Sequence, residues 1–125
     1  MNYRHDKHFT IAEAIQSLYN HHSIIEKMQV LSQQLLSSGY DIRQHRSVPA
    51  KQTLPKEFTQ LLDVIRKLES AGILVKDIEQ GIVDFPHLRE NGDEVYLCFK
   101  LGEELIQYWH SLDGGFISRQ LLDQI

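Results

Sequence analysis

The chain has one cysteine, Cys98, in 125 residues. A lone cysteine forms no internal disulfide and supplies no multi-cysteine zinc cluster. No apolar run approaches the ~18 residues of a membrane span. The opening stretch, Met1 to His8, is polar, so the expected setting is the cytoplasm, without membrane contact. Positive charge is also short, with 13 Lys/Arg against 17 Asp/Glu and a net charge of −4. Affinity for nucleic acid comes mainly from neutralising phosphates, so an acidic chain is a poor candidate for that role. Reaction signatures are missing too. No His-x-x-x-His or His-Glu-x-x-His spacing pre-aligns two metal ligands. Proline is scarce, with three in the chain and none between residues 10 and 37, so nothing interrupts a helix there.

What is present describes an ordinary globular protein: 42% hydrophobic and 24% charged residues, enough for a single domain over 1–125. Charge is unevenly distributed. Residues 1–72 carry nine Lys/Arg against seven Asp/Glu (+2), and residues 73–125 carry four against ten (−6). Opposite-signed halves help like molecules pair.

Helices come first. Thr10-Ile-Ala-Glu13 has the Ser/Thr-x-x-Glu form of a capping box, with Phe9 placed as a hydrophobic staple. Ile11, Ile15, Leu18, Ile25, Met28, Leu31 and Leu35 then recur every three or four residues until Ser37-Ser38-Gly39. A helix over 10–37 would be ~42 Å long, too long for a small sheet to cover alone. A second helix is expected from about Pro55 to Ala71, with Phe58, Leu61, Leu62, Ile65 and Leu68 on one face. Pro55 suits its first turn and Gly72 its stop. Together they predict an antiparallel helical hairpin over about 10–71. The connection at 38–54 carries Arg43, His45, Arg46 and Lys51. It is long for a helical connection, and it reads as a basic solvated loop.

From residue 73 the period changes. Ile73–Asp77, Gly81–Phe85, Val95–Phe99 and Leu105–Trp109 are short and rich in β-branched and aromatic residues, with turn residues between them. Asn91-Gly92 is the strongest turn, since both tolerate the positive φ of a tight hairpin. The expected fold is α+β: a long N-terminal helical hairpin packed on a small C-terminal antiparallel β meander, with meander and C-terminal loop covering about 73–122.

Strand parity then allocates side chains. With Asn91-Gly92 as a two-residue turn, Asp84 opposes Phe99 and lies among Ile82, Leu97 and Phe99. With the next turn centred on Gly102-Glu103, Ile106, Tyr108 and His110 join that face. Val83, Phe85, Tyr96, Cys98 and Lys100 take the other. An ionised carboxylate among apolar neighbours needs a partner.

These residues carry a resemblance. Lys76-Asp77, Gly81-Ile-Val-Asp-Phe-Pro86, Leu97-Cys-Phe99, Leu101-Gly-Glu103, Trp109-His110, Asp113-Gly-Gly-Phe116 and Arg119 resemble an uncharacterised prokaryotic family, domain of unknown function 2203. The likeness spans roughly 9–122. Phe99 stands where tryptophan is typical of that family and Gly114 where alanine is usual, and the 38–54 linker is longer. The resemblance implies a fold and a residue set; it implies no reaction and no cofactor.

That residue set offers two functions. In one, Asp84, Glu103, His110 and Asp113 act as acid/base groups or as ligands of a divalent metal, with Arg119 holding a small anion, which would make a small metal- or anion-dependent enzyme. In the other, Asp84 pairs with Arg119 or Lys76, and His110 bonds a backbone carbonyl. The protein is then a non-catalytic interaction or ligand-binding module that meets a protein partner, or a second copy, through its helices. The exposure of Asp84 separates the two: a carboxylate opening on a pocket with Arg119 marks a ligand site, and a closed ion pair marks a structural one. Asp113-Gly-Gly could form a nest of backbone N–H groups for a phosphate but is expected instead to turn Phe116 back into the core, and Cys98 to be an inert strand residue. The His5-Asp6-Lys7-His8 cluster is expected to be exposed.

Overall fold

The structure is a computed structural model that describes residues 2–40 and 55–125. The basic stretch with Arg43, His45, Arg46 and Lys51 lies outside the described residues. The element order is α1 (Ile11–Ser37), α2 (Lys56–Ser70), β1 (Leu74–Asp77), β2 (Ile82–Leu88), β3 (Glu94–Lys100), β4 (Tyr108–Ser111) and β5 (Gln120–Leu121). Short 3-10 turns at Phe116–Ser118 and Leu122–Gln124 flank β5. The chain is therefore α+β. No helix among the described residues is long and apolar enough to cross a membrane.

The helices begin and end where their sequence signals stand. Thr10 Oγ1 accepts from the Glu13 N–H at 3.0 Å, and Glu13 Oε1 accepts from the Thr10 N–H at 2.9 Å, a complete capping box. At the other end the Gly39 N–H donates to Leu36 O and the Tyr40 N–H to Leu35 O. In α2 the Gly72 and Ile73 N–H groups repeat this on Glu69 and Leu68. Both are Schellman endings, and Gly39 and Gly72 supply the positive φ that they require.

The apolar stripe of α1 is absorbed within the chain. Ala14, Leu18, Ile25, Met28, Leu31 and Leu35 join Phe58, Leu61, Val64 and Leu68 of α2 and Val83, Phe85, Val95, Leu97, Phe99 and Trp109 of the sheet in one core. Phe9 meets Phe85 edge-on in the same core, with ring centroids 5.3 Å apart.

The sheet is an antiparallel meander in the order β1-β2-β3-β4-β5, one strand more than expected, because Gln120–Leu121 pairs with Tyr108–Trp109. The fourth strand also starts later than expected. Leu105 is exposed, Ile106 is buried in a loop, and pairing resumes only at Tyr108.

The register departs from expectation by one residue at the first hairpin. Asp84 opposes Cys98, not Phe99. The Gly92 N–H donates to Arg89 O, and the Arg89 N–H to Asp93 O. Gly92 has φ +90°. This is a three-residue loop with a glycine bulge in place of a two-residue turn. Leu97 and Phe99 therefore face the helices, and Tyr96, Cys98 and Lys100 share a face with Asp84. The connection after β3 is off by one as well, pairing Cys98 with Tyr108 and Tyr96 with His110. The two shifts cancel between β2 and β4, which returns His110 to the face of Asp84.

Candidate functional site

The sheet face turned away from the helices is polar at its centre. Asp84 on β2, Cys98 on β3 and His110 on β4 come from three adjacent strands, directly opposed or one diagonal step apart. Asp84 is 1% exposed and His110 2%. His110 Nδ1 lies 2.7 Å from Ser111 O, and Nε2 lies 3.0 Å from Asp84 Oδ2. A carbonyl only accepts, so Nδ1 carries hydrogen, and one further proton lies between Nε2 and Oδ2. Burial works against charge on His110. The Asp84 hydrogen bond and charge, helped by Ser111 O, outweigh it and hold the imidazole above its ordinary value. Asp84 thus pairs with His110 and not with Arg119 or Lys76, while the expected bond of His110 to a backbone carbonyl is present.

The second carboxylate oxygen, Asp84 Oδ1, is buried with no hydrogen-bond partner among the described residues. Cys98, the neighbour on β3, is fully buried. Burial, then the Asp84 carboxylate, push its thiol far up, and the nearby Arg119 guanidinium offsets only part. Without a further cation the sulfur remains protonated and is not a nucleophile.

Glu103 and Arg119 form a separate pair. Arg119 Nη1 is 3.0 Å from Glu103 Oε1 and 2.9 Å from Oε2. Glu103 Oε1 also accepts the Lys100 N–H at 2.7 Å. The guanidinium lies over the rings of Tyr108 and Phe116, at 4.1 and 4.0 Å. Phe116 does not return to the core; it is half-buried beneath Arg119 on the polar side. Asp113 stands apart from all of these, its side chain 92% exposed and 3.4 Å from Arg4 Nη2. The Gly114 N–H donates to Ser111 O and so is not free for an anion. Of the five expected site residues, the structure groups Asp84 with His110 and Glu103 with Arg119, and leaves Asp113 outside both.

The N-terminal segment supplies what the sequence did not reveal. Glu94, at the start of β3 with its side chain 7% exposed, accepts the Arg4 N–H at 2.7 Å, the His5 N–H at 3.0 Å and His8 Nε2 at 2.7 Å. Burial alone would raise its pKa, but these donors overcome it and hold the carboxyl below its ordinary value. His5 Nε2 is 2.6 Å from Tyr96 Oη, and burial lowers the pKa of this imidazole. His5 and His8 are therefore docked rather than exposed, and they hold the chain start over the edge of the polar face. Nearby, the Phe9 N–H donates to Pro86 O, and Phe9 O accepts from His87 Nδ1, at a stretch of β2 that β1 does not reach. A lone glutamate opening a strand carries no local signal of such a role; its donors lie about ninety residues earlier in the chain.

Residues 7–122 match a family described as "Uncharacterized conserved protein (DUF2203)". The chain belongs to the DUF2203 family. No curated protein and no solved structure matches it. The DUF2203 match spans the whole sheet and both paired groups, so the polar face lies inside the family's own extent, while Arg4 and His5 of the Glu94 anchor precede it.

Proposed function

We propose that this DUF2203 chain is a non-catalytic binding module, one domain in which the two helices form an antiparallel hairpin on a rigid meander. The closed state of the polar face carries the proposal: Asp84 and His110 hold each other out of solvent. Arg119 is likewise held by Glu103 against two aromatic rings rather than presented to an anion. A general acid or base must reach a substrate proton within hydrogen-bond range; the buried Asp84–His110 pair offers no such approach, and the half-buried Glu103 and Arg119 are taken up by each other. The partner we assign is a second copy of the chain, drawn by the opposite charge of residues 1–72 (+2) and 73–125 (−6). The apolar stripe of α1 is used within the monomer, so contact falls to the outward side of the helix, where Tyr19 and Val30 are exposed.

Native mass spectrometry of the full chain, purified gently and without a tag, tests this. The expected spectrum shows a dimer that dissociates as salt rises, with no organic molecule attached. A strictly monomeric chain, or a stoichiometric organic molecule lost in Arg119→Gln, would contradict it.

A further inference from the structure

Asp84, Cys98 and His110 each present one ligand atom, and the three atoms lie within 4.8 Å of one another, all buried. They are a carboxylate oxygen, a sulfur and an imidazole nitrogen, the donor set preferred by zinc and its neighbours. Proximity of three such groups is not enough by itself, and two further features point to an ion. Asp84 Oδ1 is enclosed and makes no well-formed hydrogen bond among the described residues, with only the weak S–H donor of Cys98 beside the carboxylate. A buried carboxylate oxygen left with no strong donor is destabilising, and a cation would satisfy it. The second feature is the orientation of His110. Its Nδ1–H is fixed on Ser111 O, which is how metal-binding histidines are usually held, with the other ring nitrogen turned to the ion. Here that nitrogen is Nε2, and it already faces Asp84 Oδ2 at 3.0 Å, near the roughly 3.3 Å edge of a tetrahedron with ~2.0 Å bonds.

We propose that Asp84, Cys98 and His110 form a binding site for one divalent transition metal ion, with zinc the best match. The ion takes the place of protons. The one between Asp84 Oδ2 and His110 Nε2 leaves, as does the thiol proton of Cys98, so Zn²⁺ enters as about two protons depart and the local charge is conserved. A protonated thiol is no obstacle, because a bound metal deprotonates its sulfur ligand outright. Three strands would then be cross-linked at their centre. The site binds without needing a cavity for substrate, so it is compatible with a non-catalytic module but does not depend on that proposal.

Cobalt(II) is a suitable probe because the chain has a single cysteine, so a thiolate-to-cobalt band can come only from Cys98. Full-length reduced protein, freed of metal by chelator, is titrated with Co²⁺ and followed from the near-ultraviolet to the visible. The wild type is expected to develop the thiolate band together with tetrahedral ligand-field bands, saturating at one equivalent. One equivalent of Zn²⁺ should displace both and raise the unfolding midpoint. Cys98→Ala, a small change at a buried position, should remain folded, lose the thiolate band, and show no zinc-dependent rise. A folded wild type with no thiolate band at excess Co²⁺ would overturn the site, as would zinc stabilisation unchanged in Cys98→Ala, since exposed histidines would then be the ligands. That failure would leave the binding-module proposal standing. An organic ligand in the native mass spectrum would remove the module and leave the metal site.

Discussion

The two faces of the sheet are built on different physics. Toward the helices, Val83, Phe85, Val95, Leu97, Phe99 and Trp109 join a continuous apolar core. That face is held by area removed from water, a non-directional effect that tolerates exchanges of similar volume. On the other face, Asp84, Tyr96, Cys98 and His110 are just as deeply buried, yet they are held by directed bonds and by cations over rings. Lys76 Nζ lies 4.6 Å from the Tyr96 ring centroid, and Arg119 lies 4.1 Å from that of Tyr108. Directed contacts fail abruptly, because removing one partner leaves the other buried and unsatisfied. A fold can therefore be robust on one side and brittle on the other.

The largest expected effect follows from that contrast. Asp84→Ala should cost about 3–5 kcal/mol in urea denaturation, the usual loss when a buried pair is broken from one side. Leu97→Met, equally buried on the opposite face, should cost less than about 1.5 kcal/mol as a volume-conserving exchange. Equal losses would erase the distinction between the faces.

Glu94 comes next. Glu94→Ala leaves its Arg4, His5 and His8 donors without an acceptor and should cost about 1–3 kcal/mol. The segment before Phe9 should then become sensitive to limited proteolysis. The pH dependence has a definite sign. Glu94 has a lower pKa folded than unfolded, so on acidification the unfolded chain takes up the proton first. Its contribution is complete above the ordinary carboxylate value of roughly 4.3 and is lost as pH falls through the lower folded value. Melting curves from pH 7 to pH 3 should show a shallower acid decline in Glu94→Gln than in the wild type.

Smaller effects bound the scale. Thr10→Ala removes the acceptor of the Glu13 N–H and should cost about 1 kcal/mol by thermal or urea unfolding. Ile117→Ser, at a side chain 96% exposed, should move stability by no more than about 0.5 kcal/mol. A larger loss there would mean that Ile117 is covered in solution, for example by a second copy.

Much of the fold was legible because its signals are local. Thr10 with Glu13, Gly39, and Gly72 fix helix ends within a few residues of themselves, and the three- and four-residue spacing from Ile11 to Leu35 fixes the buried side of α1. The sheet was less legible because register depends on loop length. Asn91-Gly92 does mark the turn, but Glu90 joins it, and one extra residue exchanges the faces of β3 relative to β2. Asp84 and His110 were correctly placed together only because a second shift after Lys100 cancels the first. The pairings that close the polar face were out of reach for another reason. Glu94 with Arg4, His5 and His8 joins residues about ninety positions apart, and Glu103 with Arg119 reaches across β4 and the Phe116–Ser118 turn. No periodicity encodes such contacts.

A double-mutant cycle on Asp84 and His110 addresses the closed pair most directly. Asp84→Asn, His110→Gln and the double variant would be unfolded in urea beside the wild type, all in chelator to exclude metal. A directed bond between the two predicts a coupling energy of about 1–3 kcal/mol, with the double variant losing much less than the two single losses combined. Additive losses would mean that the two side chains are buried side by side without holding each other, and that the polar face is closed by something else.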